Sequence, residues 1–201
     1  MSDEQPKTPE LIEMEERFAK LKRREARNLR TAHARGLTQG ICSMLRPGDV
    51  VMDCGANVGD VARVLATTGA TVHAFEPDPY AFKKLTAVAE DFDNIVLHNA
   101  AVGTKAGSIQ LMRATNFDDN PNSASVKSTI ISGGRMIDEN TENAVNVEMV
   151  SIFDFIDDIA VKHGQVSFLK MDIEGAELDI LEQMLAQNTF EKVRLTVAET
   201  H

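Results

Sequence analysis

The sequence lacks several features that mark whole classes of proteins. It contains only two cysteines, Cys42 and Cys54, and no Cys/His spacing typical of zinc sites, so we expect no disulfide framework and no metal centre. Its longest run without Asp, Glu, Lys or Arg covers residues 64–75, whereas a membrane-spanning helix needs about 20 apolar residues. The first residues also lack the basic and apolar pattern of a signal peptide. These absences predict a reduced, cytoplasmic protein that does not contact a membrane.

Positive charge is scarce outside the amino-terminal region. Residues 1–35 carry nine Lys and Arg against seven Asp and Glu, whereas residues 36–201 carry twelve against twenty-four. The resulting net charge of −12 over residues 36–201 argues against a nucleic-acid partner, because phosphate binding needs clustered cations. This acidic region is better suited to a neutral or cationic small molecule.

Residues 1–46 are predicted to form an amino-terminal helical extension. Thr8 and Pro9 are typical of an N-cap and a first helical residue, and a second short helix is expected over residues 37–45. The first helix either lies on the following domain or serves as an arm for dimerisation or acceptor binding, so a homodimer is one expected assembly. Its apolar residues recur at heptad-like spacing and are Leu11, Met14, Phe18 and Leu21.

Residues 47–201 alternate between predicted strands and helices. Short apolar runs of the kind found in buried parallel strands occur at residues 50–52, 71–75, 95–97, 166–171 and 193–198. Such alternation is typical of a parallel sheet covered by helices on both faces. The predicted fold class is therefore α/β, with a Rossmann-like sheet.

Residues 114–146 interrupt this alternation and are rich in Asn, Ser, Asp and Gly. A connection of this length is usually a functional loop or an insertion without a fold of its own. Its position after the third strand, near the expected ligand crevice, favours a lid, and a tolerated insertion is the alternative. The flanking residues 108–112 and 147–152 alternate like strands and are predicted to pair in antiparallel fashion.

Two acidic residues and two glycines mark the expected cofactor site. Asp53 stands at the end of the first strand, and Gly55 and Gly59 bracket the turn into the next helix, where glycine allows close approach of the backbone. Glu76 follows the second strand, where a carboxylate can accept hydrogen bonds from both hydroxyls of a ribose. This arrangement predicts an adenosine-containing cofactor.

Two such cofactors compete for this site. A nicotinamide dinucleotide needs Gly-x-Gly-x-x-Gly so that its pyrophosphate can lie on the helix N-terminus, but Ala56 and Asn57 stand where the middle glycine would be. The carboxylate of Asp53 would repel a pyrophosphate, whereas it can accept hydrogen bonds from an ammonium. S-adenosylmethionine carries an ammonium and a sulfonium, so the acidic loop favours it. The Walker motif of P-loop NTPases is absent.

Four blocks of the sequence carry a resemblance to a known family. They are VMDCGANVG at 51–59, AFEP at 74–77, NAAVG at 99–103 and LKMDIEGAE at 169–177. In this order they resemble the FkbM family of S-adenosylmethionine-dependent methyltransferases, and Glu199 with His201 is similar to that family's Glu-x-His. The resemblance implies a class I methyltransferase, whose relatives typically methylate hydroxyls of sugars, polyketides or other small metabolites.

The same resemblance implies which residues bind the cofactor. The loop after the first strand would hold the methionine portion, Glu76 the ribose, and the residues after the third strand the adenine. The complete implied set is Asp53, Gly55, Ala56, Asn57, Gly59, Glu76, Asn99 and Ala100.

Catalysis is expected to involve Asp172, Glu174 and His201. Methyl transfer from a sulfonium is an in-line displacement in which positioning of the acceptor supplies much of the acceleration, and a hydroxyl acceptor must also lose a proton. Asp172 would contact the sulfonium region or the acceptor, and Glu174 or His201 would take the proton. Alternatively, Glu174 only begins the next helix, where an acidic side chain suits the positive end of the dipole.

The sequence thus predicts a methyltransferase that acts on a small-molecule or sugar hydroxyl, with no nucleic-acid or membrane partner. Two alternatives stay open: an NAD(P)-dependent oxidoreductase, and a non-catalytic interaction module that binds S-adenosylmethionine. A class I methyltransferase normally continues through a helix and a two-stranded hairpin after its fifth strand, and the resemblance ends before them. We therefore expect a sheet that lacks this hairpin, or a partner that covers its edge.

Overall fold

The computed structural model describes residues 8–111, 145–173 and 175–199. Two of the predicted catalytic residues, Glu174 and His201, and the part of the predicted lid before residue 145 lie outside these ranges. The chain divides into two units, the first ending at Met44 and the second beginning at Leu45. Within the described ranges, no helix is both long and apolar enough to cross a membrane.

The first unit contains one long helix, α1 (Pro9–Met44). Thr8 caps it as predicted, because the amide of Leu11 donates a hydrogen bond to the Thr8 hydroxyl at 3.3 Å. The prediction of a separate helix over residues 37–45 is wrong. The helix breakers near residue 37 are Gly36 and Gly40, and each glycine in a helix interior costs about 1 kcal/mol, which is too little to end the helix.

The second unit contains the remaining elements in the following order: β1 (Val50–Cys54), α2 (Asp60–Ala66), β2 (Thr71–Phe75), α3 (Pro79–Ala89), β3 (Ile95–His98), β4 (Ala101–Gly103), β5 (Gly107–Leu111), β6 (Val145–Ser151), α4 (Ile152–His163), β7 (Phe168–Met171), α5 (Glu177–Ala186), a 3₁₀ helix (Thr189–Lys192) and β8 (Thr196–Ala198). Asp78 caps α3 through hydrogen bonds that its carboxylate accepts from the amides of Tyr80 and Ala81.

Five strands form the main sheet, in the order β3-β2-β1-β7-β8. Every neighbouring pair in it is parallel, so all five carboxyl ends lie at one edge. In this order β1 is central and pairs with both β2 and β7. The chain therefore brings the residues that follow β1, β2 and β7 to the same place.

Both faces of the main sheet are covered. On one face, Val50, Met52 and Cys54 of β1 belong to a hydrophobic cluster that includes buried residues of α4 and α5. On the other face, Val51 is also fully buried, and α2 contacts β1, β2 and β3. The predicted α/β architecture with a parallel, doubly covered sheet is confirmed.

A second, three-stranded sheet has the order β4-β6-β5. Its strands β5 and β6 are antiparallel, and Leu111 pairs with Val145, so the predicted pairing of the segments around residues 108–112 and 147–152 is confirmed for the described residues. Because β6 already begins at Val145, residues 145 and 146 belong to a strand and not to the predicted loop. Strand β4 was not predicted, because it has only three residues.

Candidate cofactor and active site

The carboxyl ends of β1, β2 and β7 bring together three acidic residues from distant parts of the sequence. Asp53 lies in β1 and pairs in register with Ala74 of β2 and Lys170 of β7. Glu76 directly follows β2, and Asp172 directly follows β7. Ligands of open α/β sheets bind outside this edge, so the structure places these residues where a ligand site is expected.

Glu76 is almost fully buried and is held by two backbone amides. Its Oε1 atom accepts a hydrogen bond from the amide of Asp78 at 2.8 Å, and its Oε2 atom accepts one from the amide of Asn57 at 2.9 Å. Burial raises the pKa of Glu76 to about 7, although both amide hydrogen bonds act in the opposite direction. The carboxylate thereby links the loop after β1 to the turn after β2.

Three residues of the loop after β1 adopt positive φ angles: Gly55 at 76°, Asn57 at 48° and Gly59 at 91°. A Cβ atom on Gly55 would lie 1.8 Å from the carbonyl oxygen of Asp172, and one on Gly59 would lie 2.9 Å from a methyl group of Leu85. Both glycines are therefore required by the packing of the protein itself. The sequence had attributed them to the approach of a ligand.

A buried ion cluster joins this loop to β7. Lys170 Nζ lies 3.1 Å from Asp53 Oδ1 and 3.6 Å from Asp172 Oδ2, and it donates a hydrogen bond to the carbonyl oxygen of Gly55 at 3.0 Å. Burial raises the pKa of Asp53 while Lys170 lowers it. Burial alone would lower the pKa of Lys170, but the charges of Asp53 and Asp172 outweigh it and raise the pKa. One ammonium thus faces two carboxylates.

Three buried acceptor atoms in this region lack hydrogen-bond partners among the described residues. They are Asp53 Oδ1, which forms only the ion pair with Lys170, Asp53 Oδ2 and Asn57 Oδ1. A buried polar atom without a partner costs about 1–3 kcal/mol, and such atoms are rare in folded proteins. Their position beside the glycine loop is that expected of groups that receive a donor from a ligand.

The two residues predicted to border adenine have different surroundings. Asn99 is exposed, and its side-chain amide donates hydrogen bonds to the carbonyl oxygens of Glu76 at 2.8 Å and Pro77 at 3.3 Å. Asn99 therefore holds the turn after β2 in place. Ala100 is buried and precedes β4. No described contact tests whether either residue binds adenine.

Sequence reasoning missed Glu177, the first residue of α5. This side chain is buried, and its two oxygens accept hydrogen bonds from the amides of Ile173 and Gly175, both at 2.8 Å. It therefore fixes the turn between β7 and α5, next to Asp172. The only signal in the sequence was its place at the end of the LKMDIEGAE block.

An aromatic cluster lies under the carboxyl ends of β2 and β3. His73 Nδ1 and His98 Nε2 are 3.0 Å apart, His98 stacks on Phe75 with 4.4 Å between ring centroids, and Phe155 contacts all three rings edge-on. Burial is the main cause that lowers the pKa of both histidines, that of His73 to about 4. Both rings are therefore neutral near pH 7 and act as packing groups.

The fold and the site together define a class of protein. Five parallel strands with β1 at the centre, a glycine loop after β1 and a buried carboxylate after β2 are the elements of a Rossmann-like domain. Comparison with known proteins identifies the family: the model described as Methyltransferase FkbM domain matches residues 53–201. The chain belongs to this family, which confirms the prediction made from the four sequence blocks.

Two relatives are methyltransferases by name. The chain is 30% identical over 186 residues to the 31-O-demethyl-FK506 methyltransferase FkbM of Streptomyces tacrolimicus, which covers 78% of this chain and 67% of that protein. It is 27% identical over 157 residues to the hexuronic acid methyltransferase AglP of Haloferax volcanii, which covers 76% of this chain and 56% of that protein. The chain thus spans between about half and two thirds of these relatives.

Among solved structures, the chain is similar to M. jannaschii TYW2 in complex with AdoMet, and the similar region covers 56% of this chain and 73% of the TYW2 chain. The identity is 13% and the TM-score is 0.29.

Proposed function

We propose that this protein is an S-adenosylmethionine-dependent methyltransferase that transfers a methyl group to a hydroxyl of a small molecule or sugar. The observation that carries the proposal is the pair of buried carboxylates at the ends of adjacent strands. Asp53 has an unpartnered oxygen beside the glycine loop, and Glu76 is held at the end of β2 by two backbone amides. The name of the 31-O-demethyl-FK506 methyltransferase supports transfer to an oxygen atom, and the name of the hexuronic acid methyltransferase supports a sugar acceptor.

The residues present fit the cofactor. Asp53 Oδ2 and Asn57 Oδ1 are buried acceptors without partners, and the ammonium of a methionine portion can supply the donors that they lack. Each oxygen of Glu76 accepts one amide hydrogen bond and keeps a free lone pair for a ribose hydroxyl. The loop residues Gly55, Ala56 and Gly59 complete this side of the site, and Asn99 and Ala100 are assigned to the adenine.

When bound, S-adenosylmethionine supplies an electrophilic methyl group on a sulfonium. The contribution of the chain is to place an acceptor oxygen in line with that methyl group and to receive the proton of the hydroxyl. In this proposal Asp172 faces the reacting groups, and Glu174 or His201 takes the proton. Lys170 pairs with carboxylates on two sides, so it is assigned no role as a nucleophile.

Calorimetric titration with S-adenosylhomocysteine and with NAD tests the choice of cofactor. We expect S-adenosylhomocysteine to bind to the wild-type protein and NAD not to bind. The substitutions Asp53→Asn and Glu76→Gln should each weaken the binding of S-adenosylhomocysteine about tenfold or more, because a charge-assisted hydrogen bond contributes about 1.5–3 kcal/mol. Glu90→Gln, which changes an exposed carboxylate at the end of α3, is the matched control. Binding of NAD alone would reject the proposal in favour of an oxidoreductase.

Incubation with S-adenosylmethionine labelled in its methyl group, together with a panel of uronic acids, other sugars and polyketides, tests the reaction. Transfer of label to a hydroxyl supports the proposal, and Glu174→Gln and truncation before His201 then identify the proton acceptor. Binding of S-adenosylhomocysteine without transfer to any acceptor would favour a non-catalytic module.

A further inference from the structure

Lys170 is a cation that contacts two acidic residues of the cofactor site, Asp53 and Asp172. Its side chain is 16% exposed, and Asp53, opposite it in the β1–β7 pair, is fully buried. The groups that surround its ammonium come from three strands: Asp53 and Cys54 of β1, Glu76 after β2, and Asp172 after β7. Burial raises the pKa of Cys54 far above neutrality, so this thiol is uncharged.

The charge state of Asp53 depends on this ammonium. A carboxylate removed from water takes up a proton unless an opposite charge or hydrogen bonds compensate for the lost hydration. No described residue donates a hydrogen bond to Asp53 in good geometry, so the Lys170 ion pair at 3.1 Å is the compensation that the structure provides. Without it, the neighbouring negative charge of Asp172 would disfavour an ionised Asp53 further.

The same ammonium also fixes the glycine loop. Its hydrogen bond to the carbonyl oxygen of Gly55 is made on the side of β7. The amides of Gly55 and Ala56 both donate to the carbonyl oxygen of Phe75, at 3.0 and 2.9 Å, on the side of β2. The start of the loop is therefore held from both neighbouring strands.

We propose that Lys170 is a positioning residue for the cofactor: it keeps Asp53 ionised and holds the Gly55 carbonyl, so that Asp53 Oδ2 can accept a hydrogen bond from the ammonium of the methionine portion. Lys170 itself does not touch the cofactor. The cluster of one ammonium and two carboxylates keeps a net negative charge, which suits a cationic ligand. This inference rests on the proposed function, because it assigns a role to Lys170 in binding that cofactor.

Three substitutions separate the charge of Lys170 from its hydrogen bond. Lys170→Arg keeps the charge, Lys170→Gln keeps a donor without the charge, and Lys170→Met keeps neither. Calorimetry with S-adenosylhomocysteine at pH 7 should give affinities in the order wild type, Arg, Gln, Met. We expect Gln to bind about tenfold or more weakly than wild type, because removing one partner of a buried ion pair leaves an uncompensated charge that takes up a proton.

The pH profile distinguishes this role from a structural one. A higher pH favours the ionised form of Asp53 in Lys170→Gln, so the ratio of wild-type to variant affinity should fall when it is measured at increasing pH from about 6 to about 9. Because the charge of Lys170 also lowers the pKa of Glu76, the same ratio is measured in a Glu76→Gln background, where this second effect is absent. In an Asp53→Asn background, Lys170→Gln should weaken binding by less than about threefold, because the carboxylate that it serves has been removed.

Thermal unfolding of each variant shows whether it is folded. If Lys170→Gln does not fold, the Asp53→Asn/Lys170→Gln double variant, which removes both charges, is compared with Asp53→Asn instead. The inference would be overturned if Lys170→Gln bound S-adenosylhomocysteine as tightly as wild type, or if the ratio of wild-type to variant affinity did not change with pH. It would also be overturned if the losses of affinity caused by Lys170→Gln and Asp53→Asn were fully additive. Failure of the wild-type protein to bind S-adenosylhomocysteine would instead overturn the proposed function.

Discussion

Glu76 shows how one side chain can couple a fold to a binding site. Its carboxylate joins two loops through backbone amides, and burial raises its pKa to about 7. Hydrogen bonds from ribose hydroxyls favour the ionised form. We therefore expect the affinity for S-adenosylhomocysteine to be about tenfold weaker at pH 6 than at pH 8. Calorimetry across this range measures the effect.

The control for this prediction is Glu76→Gln, which should bind S-adenosylhomocysteine weakly and without the step near pH 7.

The raised pKa of Glu76 has the opposite consequence for the stability of the unliganded protein. Because the folded protein holds this proton up to about pH 7 while the unfolded chain loses it near the ordinary glutamate pKa of 4.5, this contribution to stability is present at low pH and is lost as the pH rises through 7. A wild-type affinity that does not vary between pH 6 and 8 would contradict the assignment of Glu76 to the ribose.

Glu177 is predicted to support the turn that carries Asp172. Glu177→Gln keeps one acceptor oxygen and turns an amide donor towards a backbone amide, so one buried N–H loses its partner. We expect the free energy of unfolding in urea to fall by about 1–3 kcal/mol. Glu182→Gln changes an exposed carboxylate on the same helix and should change it by less than about 0.5 kcal/mol. Equal effects of the two substitutions would show that the hydrogen bonds of Glu177 are not stabilising.

At this scale, the sequence predicted the types of residue in the site better than their contacts. Asp53 and Glu76 could be identified because each follows a run of apolar residues at the end of a strand, and strand ends converge in a parallel sheet. The bonds of Glu177 and the contact between His73 and His98 could not be predicted, because they depend on the path of a turn and on strand register. Gly55 was recognised, but the reason for it, contact with the Asp172 carbonyl, required the position of β7.

At the scale of elements, two glycines with open space around them allow a matched test of backbone effects. A Cβ atom on Gly36 or on Gly48 would meet nothing within 4 Å, but Gly36 is helical and Gly48 has φ +94°. Gly36→Ala should stabilise α1 by about 1 kcal/mol through helix propensity. Gly48→Ala should destabilise the turn before β1 by about 1–2 kcal/mol, because an L-residue is strained there.

Hydrogen exchange of the α1 amides and urea unfolding measure these two effects separately. If both substitutions changed stability in the same direction, the space around the added methyl group, and not the backbone conformation, would control their effects. Gly36 also marks where sequence reasoning failed, because it does not end the helix that continues to Met44.

The types and the order of the strands and helices could be predicted from the sequence wherever apolar runs are continuous. The five strands of the main sheet were all predicted, and the family blocks gave their relation to the site. Strand β4 was missed because three residues carry no periodicity. The starts of β7 and β8 were predicted too early in the chain, because residues 166 and 193 form only an isolated bridge, whereas their last residues were predicted correctly.

At the scale of the whole molecule, the acidic character of residues 36–201 should influence ligand choice. S-adenosylmethionine carries one more positive charge than S-adenosylhomocysteine, and an excess of carboxylates raises the local concentration of cations. We expect the affinity for S-adenosylmethionine divided by the affinity for S-adenosylhomocysteine to fall about two- to threefold between about 20 mM and about 500 mM NaCl, because salt screens exposed charges. Parallel titrations at the two salt concentrations measure it. A constant ratio would mean that the exposed carboxylates do not contribute to recognition of the sulfonium charge.

The pairing of Leu111 with Val145 has a consequence for engineering. These two residues are ladder partners, so the ends of the segment between them are already held side by side by the β5–β6 hairpin. The entropy of closing a loop grows only with the logarithm of its length, by about 0.6 kcal/mol for each doubling. Segments of very different length can therefore be grafted between Leu111 and Val145, or new chain termini opened there, without disturbing the register of the strands that support the site.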